Sequence, residues 1–126
     1  MKENRIKVLK VAPLEKPTIC YLENKLKSMQ EAVSIGAEYV GLIEIINLDE
    51  RACILCNDEA KLIGLMPNRQ FGNDIICGVF YVIGQNEAGD LTSLTDEEIE
   101  HYSKMFAYIE YFLRDDGGGI IVLKFI

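Results

Sequence analysis

Apolar residues come in short runs bounded by Pro, Gly, Asn and Asp, a pattern typical of strands joined by turns. We predict strands over Arg5–Ala12 and Pro17–Glu23, which could form a hairpin, and over Glu38–Asn47 and Arg51–Cys56. The run DIICGVFYVIG, residues 74–84, is apolar enough to predict a strand buried on both faces. Gly78 within it suggests a bulge or a close approach of another segment.

The first of two helices is predicted over about residues 25–34. Asn24 is a good N-cap, and Gly36 fits the end of the helix. A modest apolar stripe of Leu26, Met29 and Val33 follows helical spacing.

The second predicted helix begins at a capping box, Thr95-Asp96-Glu97-Glu98, in which Thr95 and Glu98 satisfy each other's backbone N–H groups. Apolar residues then recur on one face as far as Leu113, and Asp115–Gly119 ends the helix before a possible strand over residues 120–126. The predicted fold is therefore one α+β domain over residues 1–126. It has a mostly antiparallel sheet, a long C-terminal helix packed on one face and a short helix.

The candidate ligand-binding residues are Asn68, Arg69, Thr92 and Ser93. Asn68 and Arg69 lie in a predicted Pro67-Asn68-Arg69 turn beside the apolar strand, where an amide and a guanidinium fork can meet an oxygen-rich ligand. Thr92 and Ser93 precede a helix start, where backbone N–H groups can hold an anion. A structural alternative stays open: Asn68 shapes the turn, Arg69 pairs with Asp74 or Glu59, and Thr92 and Ser93 form a turn.

Charge narrows the classes of partner. The net charge is −7, with +4 in residues 1–30 and −11 in the remainder. This balance argues against direct binding to nucleic acid, which depends on neutralising phosphates. The basic start (Lys2, Arg5, Lys7, Lys10) could line an anion site or form a solvated edge. No apolar run approaches the ~20 residues of a membrane helix, so we expect a cytoplasmic protein with no membrane partner.

The four cysteines are predicted to be reduced and to bind no metal. Cys53 and Cys56 match C-x-x-C, but residues three apart on a strand point to opposite faces. No metal or cofactor is expected. Catalysis is weakly supported, because the single histidine, His101, falls on the solvent side of its helix and no nucleophile or phosphate-loop motif appears.

Three motifs in order, Cys56-Asn57-Asp58-Glu59, Gly64-Leu65-Met66-Pro67-Asn68-Arg69 and Ser93-Leu94-Thr95-Asp96-Glu97, resemble those of a bacterial and phage family, domain of unknown function 3846. This chain differs in placing Pro67 directly before Asn68 and in extending through residues 117–126. The resemblance implies an accessory protein of phages or conjugative elements and carries no activity.

Three functions remain open. We favour a non-enzymatic binding module that sequesters a small anionic, nucleotide-like ligand to counter host defence. The alternatives are an acidic inhibitor or nucleic-acid mimic acting on a host enzyme, and a carboxylate hydrolase. Self-association into a homo-oligomer is compatible with each of them.

Overall fold

The computed structural model describes residues 4–126 and contains ten strands and two helices in that range. In chain order they are β1 (Arg5–Val11), β2 (Thr18–Glu23), α1 (Leu26–Val33), β3 (Ile43–Asn47), β4 (Ala52–Asn57), β5 (Pro67–Phe71), β6 (Asp74–Cys77), β7 (Phe80–Gln85), β8 (Leu91–Thr92), α2 (Asp96–Met105), β9 (Ile109–Arg114) and β10 (Ile120–Phe125).

The main sheet has the order β2-β1-β7-β4-β3, with β8 added to β7. Its neighbours are antiparallel, as are the two separate hairpins β5–β6 and β9–β10. The predicted mostly antiparallel sheet and the β1–β2 hairpin are thus confirmed. Helices make up 15% of the chain, which fits an α+β or a mainly β class.

Every residue of β4 is buried, because both faces of the main sheet are covered. Ala52, Ile54 and Cys56 belong to a cluster under α2, whereas Cys53 and Leu55 belong to a cluster under α1. The side-chain period of two sends alternate residues to opposite layers. Cys53 and Cys56 therefore face apart, as the C-x-x-C spacing on a strand predicts.

The prediction of a long C-terminal helix is wrong. The helix α2 ends at Met105, and Ile109–Arg114 forms the strand β9, paired along its length with β10. The capping box at its start is confirmed, since Thr95 Oγ1 accepts from the Glu98 N–H at 3.1 Å and Glu98 Oε1 accepts from the Thr95 N–H at 2.9 Å. Ile109 and Leu113 fit helical spacing by coincidence, but β-branched and aromatic residues dominate this segment and favour a strand.

The predicted strand over residues 74–84 is two strands in different sheets. Gly78, at φ +77°, separates β6 from β7, and a Cβ there would lie 2.8 Å from Leu65 Cδ1. The expected close approach is therefore correct, but the chain also changes direction. Residues 58–64, which lead toward β5, form turns.

Two helix and strand limits also differ from expectation. Lys25, not Asn24, is the N-cap of α1 and makes no side-chain cap, and β3 starts at Ile43 rather than at residue 38. Within the described residues, no helix is both long enough and apolar enough to cross a membrane.

Candidate functional site

Asn68 and Arg69 lie in a strand, not in a turn, and both are fully buried at 0% exposure. The pairing of β5 with β6 shifts between Pro67 and Arg69, so Asn68 occupies a bulge. A bulge lets two successive side chains point inward, which ordinary alternation forbids. Pro67 starts the strand, where its missing N–H is tolerated.

The amide of Asn68 joins two backbone segments. Its Nδ2 donates to the carbonyl oxygens of Val11 and Gly78, at 2.8 Å each, and its Oδ1 accepts from Arg69 Nη1 at 2.8 Å. The end of β1 and the break before β7 are therefore held together by one side chain.

The guanidinium of Arg69 is satisfied inside the protein. It donates to the backbone oxygens of Phe106 (3.3 Å from Nε and from Nη2), Asn68 (3.2 Å) and Glu15 (2.7 Å). With the bond to the Asn68 side chain, the guanidinium makes five hydrogen bonds to four oxygen atoms, because the Phe106 oxygen accepts two of them. Burial lowers the pKa of Arg69, and the nearby Glu110 carboxylate opposes that shift.

These contacts correct the prediction for the pair. Neither the exposed turn nor the alternative pairing of Arg69 with Asp74 or Glu59 is present. A buried guanidinium whose donors all bind internal oxygens has no donor left for a ligand. Asn68 and Arg69 therefore hold the fold together at this point, and a direct ligand contact through them has no geometric support.

Thr92 and Ser93 lie at the other end of β7. Thr92 pairs with Gly84 in β8, and its Oγ1 would lie 2.6 Å from a Cβ on Gly84. Ser93 Oγ accepts from the Lys7 N–H at 2.9 Å. Gly78 and Gly84 are six residues apart, about 20 Å along an extended chain, so the four predicted residues do not form one site.

A cleft of about 360 Å³ opens on the outer side of the segments that Asn68 and Arg69 join. It lies between the β1–β2 turn, the end of α1, the loop before β5 and the break before β7. Its apolar walls are formed by Ala12, Pro13, Ile35, Leu65, Met66 and Val79. The volume lies near the lower end of the range for small-molecule sites, about 300–1,000 Å³.

Three glycines, Gly36, Gly64 and Gly78, expose backbone in this cleft, and each has a positive φ. Glycine adopts such conformations without a steric penalty and leaves room beside the backbone. At Gly78 the room is taken by Leu65, whereas a Cβ on Gly64 would meet nothing within 4 Å. The cleft surface near Gly64 is therefore open backbone.

Lys10 and Glu15 are the ionisable residues among the cleft's lining residues. Of the basic residues at the start of the chain, Lys7 is instead 2.5 Å from Asp96, and Arg5 lies over the Tyr21 ring at 5.7 Å. The hydrogen bond that the Lys7 ammonium donates to Asp96 raises the pKa of Lys7. Lys2 lies outside the described residues. Lys10 is thus the member of the basic strand that is placed to meet an anion in this cleft.

Two other clefts are poorer places for an anion. One, of about 160 Å³, is lined by four carboxylates with a single lysine, Lys61, which pairs with Asp74. Another, of about 260 Å³, lies at Asp49, whose carboxylate accepts from the Tyr102 hydroxyl at 2.6 Å and from the Arg51 and Ala52 N–H groups. These bonds fix the β3–β4 turn. His101 on its rim is exposed, as expected, and touches Tyr102 edge to face.

The cysteines have no feature of a reactive site. Cys53, Cys56 and Cys77 are buried, and Cys20 is half-buried. Burial, with Glu44 nearby, raises the pKa of Cys56 to about 12, so its thiol stays protonated at neutral pH. Among residues 4–126 no group of three or more potential ligands could hold a metal ion. Their reduced, metal-free state stays a prediction.

Sequence reasoning missed the cleft because its residues come from four separate segments. The sequence presents Lys10 as one of several basic residues that could line an anion site, Gly36 as the end of a helix, and Gly78 as a bulge or a close approach. The signal that was present is the clustering of glycines at segment ends next to single apolar residues. No known motif links glycines at this spacing, so the sequence does not reveal that they meet in space.

Comparison with known proteins identifies a family but no activity. No curated protein and no solved structure matches the chain. A model of the domain of unknown function (DUF3846) matches residues 6–107, which covers the main sheet, both helices and the cleft and stops before β9. The chain therefore belongs to the DUF3846 family of proteins, as its ordered motifs indicated.

Proposed function

We propose that this protein binds and sequesters a small anionic, nucleotide-like ligand in the cleft between Lys10 and Gly64. In the setting that the family resemblance suggested, it would act as an accessory protein of a phage or mobile element and remove a host defence signal. The observation that carries the proposal is the cleft itself: an apolar slot of about 360 Å³ with one cation, one carboxylate and open glycine backbone.

The lining suits the separate parts of a nucleotide. The apolar walls can cover the faces of a base, since ligand pockets are mostly apolar with a few placed polar groups. The Lys10 ammonium can meet a phosphate, and the Glu15 carboxylate can accept from ribose hydroxyls or an exocyclic amine. The volume favours one nucleotide unit over two.

The cleft also rests on a rigid support. Asn68 fixes the carbonyls of Val11 and Gly78, and Arg69 fixes that of Glu15. Two of the four segments that line the cleft, the β1–β2 turn and the break before β7, are thereby held at defined positions. Sites held on rigid supports need less ordering on binding. Asn68 and Arg69 would then serve as positioning residues behind the ligand.

Native mass spectrometry of the protein purified gently from a bacterial host tests the proposal. We expect a retained small mass with ultraviolet absorption near 260 nm, as for a nucleobase. Two variants should lose it: Lys10→Gln, which removes the cation, and Met66→Trp, which fills the mouth of the cleft from a half-exposed position. Lys10→Arg should retain it in part.

Lys61→Gln is the matched control, because it removes an exposed lysine that is paired with Asp74 in the acidic cleft. It should keep the bound mass. If Lys10→Gln and Lys61→Gln lost the bound mass equally, net charge rather than the cleft would explain the binding. If Met66→Trp kept the bound mass, the ligand would have to bind elsewhere. The anti-defence role is tested separately, by comparing protection of infecting phage by the wild type and by Met66→Trp.

An acidic inhibitor or nucleic-acid mimic is the second candidate, and the geometry favours it less. A mimic needs rows of unpaired carboxylates, yet on α2 Asp96 pairs with Lys7 and Glu100 pairs with Lys104 at 3.2 Å. Pull-down of a DNA-binding host enzyme that is weakened by Glu97→Gln and unaffected by Met66→Trp would favour this candidate instead.

A further inference from the structure

The hairpin β9–β10 carries its apolar side outward. In its register, Tyr111 pairs with Leu123 and Leu113 pairs with Ile121, with Ile109 opposite Phe125. These six residues share one face by the alternation of strands. Five of them, all except the half-buried Ile109, are exposed by between 41% and 49%.

The charged residues of the hairpin strands all lie on the opposite face. Glu110, Arg114 and Lys124 alternate with the apolar set. That face is turned toward β5: Glu110 is buried, and its Oε1 accepts from the Gln70 N–H at 2.9 Å. The same face also carries Phe112, Ile120 and Val122, so the side turned toward β5 is mixed, whereas the outward side bears apolar residues and no charge.

Such a face is unfavourable for an isolated chain in water. A two-stranded hairpin is at best marginally stable by itself, and monomeric proteins rarely expose contiguous apolar patches larger than a few hundred Å². Among the described residues β10 pairs only with β9, and no other element covers the apolar face of the hairpin. A patch of this kind often marks an interaction surface.

We propose that the hairpin face Ile109, Tyr111, Leu113, Ile121, Leu123 and Phe125 is a homodimer interface, packed against the same face of a second copy. A two-fold axis places the same patch on both sides, so the surface must be self-complementary. A face with aliphatic and aromatic residues and no charge meets that condition. It also keeps Glu110, Arg114 and Lys124 of both copies out of the contact.

The area is sufficient for a pair of chains. With roughly 200 Å² for each large side chain, the exposed fractions give on the order of 450 Å² per copy, or about 900 Å² for the pair. Specific interfaces start at about 1,000 Å² in total. The exposed part of Ile109 and backbone atoms of the face bring the contact near that level. The dimer should therefore be specific but of moderate affinity.

Sedimentation velocity over a range of protein concentrations tests the dimer. The wild type should sediment at twice the 14.2 kDa chain mass at tens of micromolar and dissociate on dilution. Tyr111→Lys with Leu123→Glu should be monomeric throughout and raise the dissociation constant at least 100-fold. Lys124→Gln, on the opposite face, should leave it within about threefold of wild type.

A milder variant keeps the test valid if the double variant does not fold. Leu123→Thr introduces a β-branched residue that favours a strand, and it should raise the dissociation constant about tenfold. Two results would overturn the proposal: a wild type that is monomeric at 100 µM, or a dimer that Leu123→Thr leaves unchanged. A monomeric wild type that floats with neutral phosphatidylcholine vesicles would assign the face to lipid instead.

Discussion

Strand β4 and the hairpin β9–β10 have similar apolar content but opposite surroundings. Each residue of β4 is buried between two layers, and its neighbours β7 and β3 satisfy its backbone on both sides. The hairpin has one strand pairing and leaves its apolar face exposed. Hydrophobic pattern alone therefore does not determine burial. The layers around a strand determine it, and within residues 4–126 no layer covers the outward face of the hairpin.

The comparison predicts the largest difference in free energy of unfolding for two isoleucine-to-alanine changes, one in β4 and one in the hairpin. Ile54→Ala, at 0% exposure, should reduce the free energy of unfolding by about 3–5 kcal/mol through lost burial and a cavity. Ile121→Ala, at 46% exposure, should cost less than about 1 kcal/mol. Urea denaturation in protein dilute enough to be monomeric measures both. Equal losses would mean that the hairpin is buried in the monomer and that its face is covered.

Arg69 tests whether the region behind the cleft is core or site. Arg69→Ala should cost about 3 kcal/mol or more, because it empties a fully buried position and leaves the buried Phe106 carbonyl and the partly buried Glu15 carbonyl without this donor. This reverses the expectation for an exposed turn, where the same change would cost at most ~0.5 kcal/mol. Arg69→Lys should recover little, since an ammonium cannot make the same five bonds. If Arg69→Ala left the melting temperature unchanged, Arg69 would have to be exposed, as the predicted turn implies.

Gly78 tests the break between β6 and β7. Gly78→Ala should cost about 1–3 kcal/mol, because φ +77° is strained for alanine and its Cβ would lie 2.8 Å from Leu65 Cδ1. Gly72→Ala is the control, with φ +61° and open space around it. The excess cost at Gly78, read from thermal denaturation, measures the contact with Leu65. Identical costs would show that this contact relaxes freely.

The smallest effect is expected at the cap of α2. Thr95→Ala should lose about 1 kcal/mol, because the Glu98 N–H loses its acceptor. Thr95→Ser keeps a hydroxyl and should be close to wild type. No difference between the alanine and serine variants in thermal denaturation would mean that water or another group caps this helix equally well.

The main sheet could be predicted because its signals are local. Continuous apolar runs marked β4 and β7, and the Thr95 capping box marked the start of α2. The end of α2 could not be located, because Phe106, Ile109 and Leu113 satisfy helical spacing while Ile109, Tyr111 and Leu113 satisfy strand spacing. Pairing with β10 decides between them, and that is a contact between residues distant along the chain.

The site was harder to predict for a related reason. The residue types at positions 68 and 69 suit a turn and a ligand equally well, but a bulge in β5 turns both side chains inward. Nothing local in the sequence signals that bulge. The cleft itself is made by residues from 10 to 79, so only the three-dimensional arrangement brings Lys10 next to Gly64 and Gly78.

The most direct test of the ligand cleft is an amide ¹H–¹⁵N spectrum of the protein titrated with a nucleoside monophosphate. The account predicts saturable shifts of the Gly36, Gly64 and Gly78 signals, with Gly84 and Gly118 unchanged, and loss of these shifts in Met66→Trp. Shifts centred on the Asp49 turn, or signals of the three cleft glycines that stay fixed at millimolar nucleotide, would contradict it.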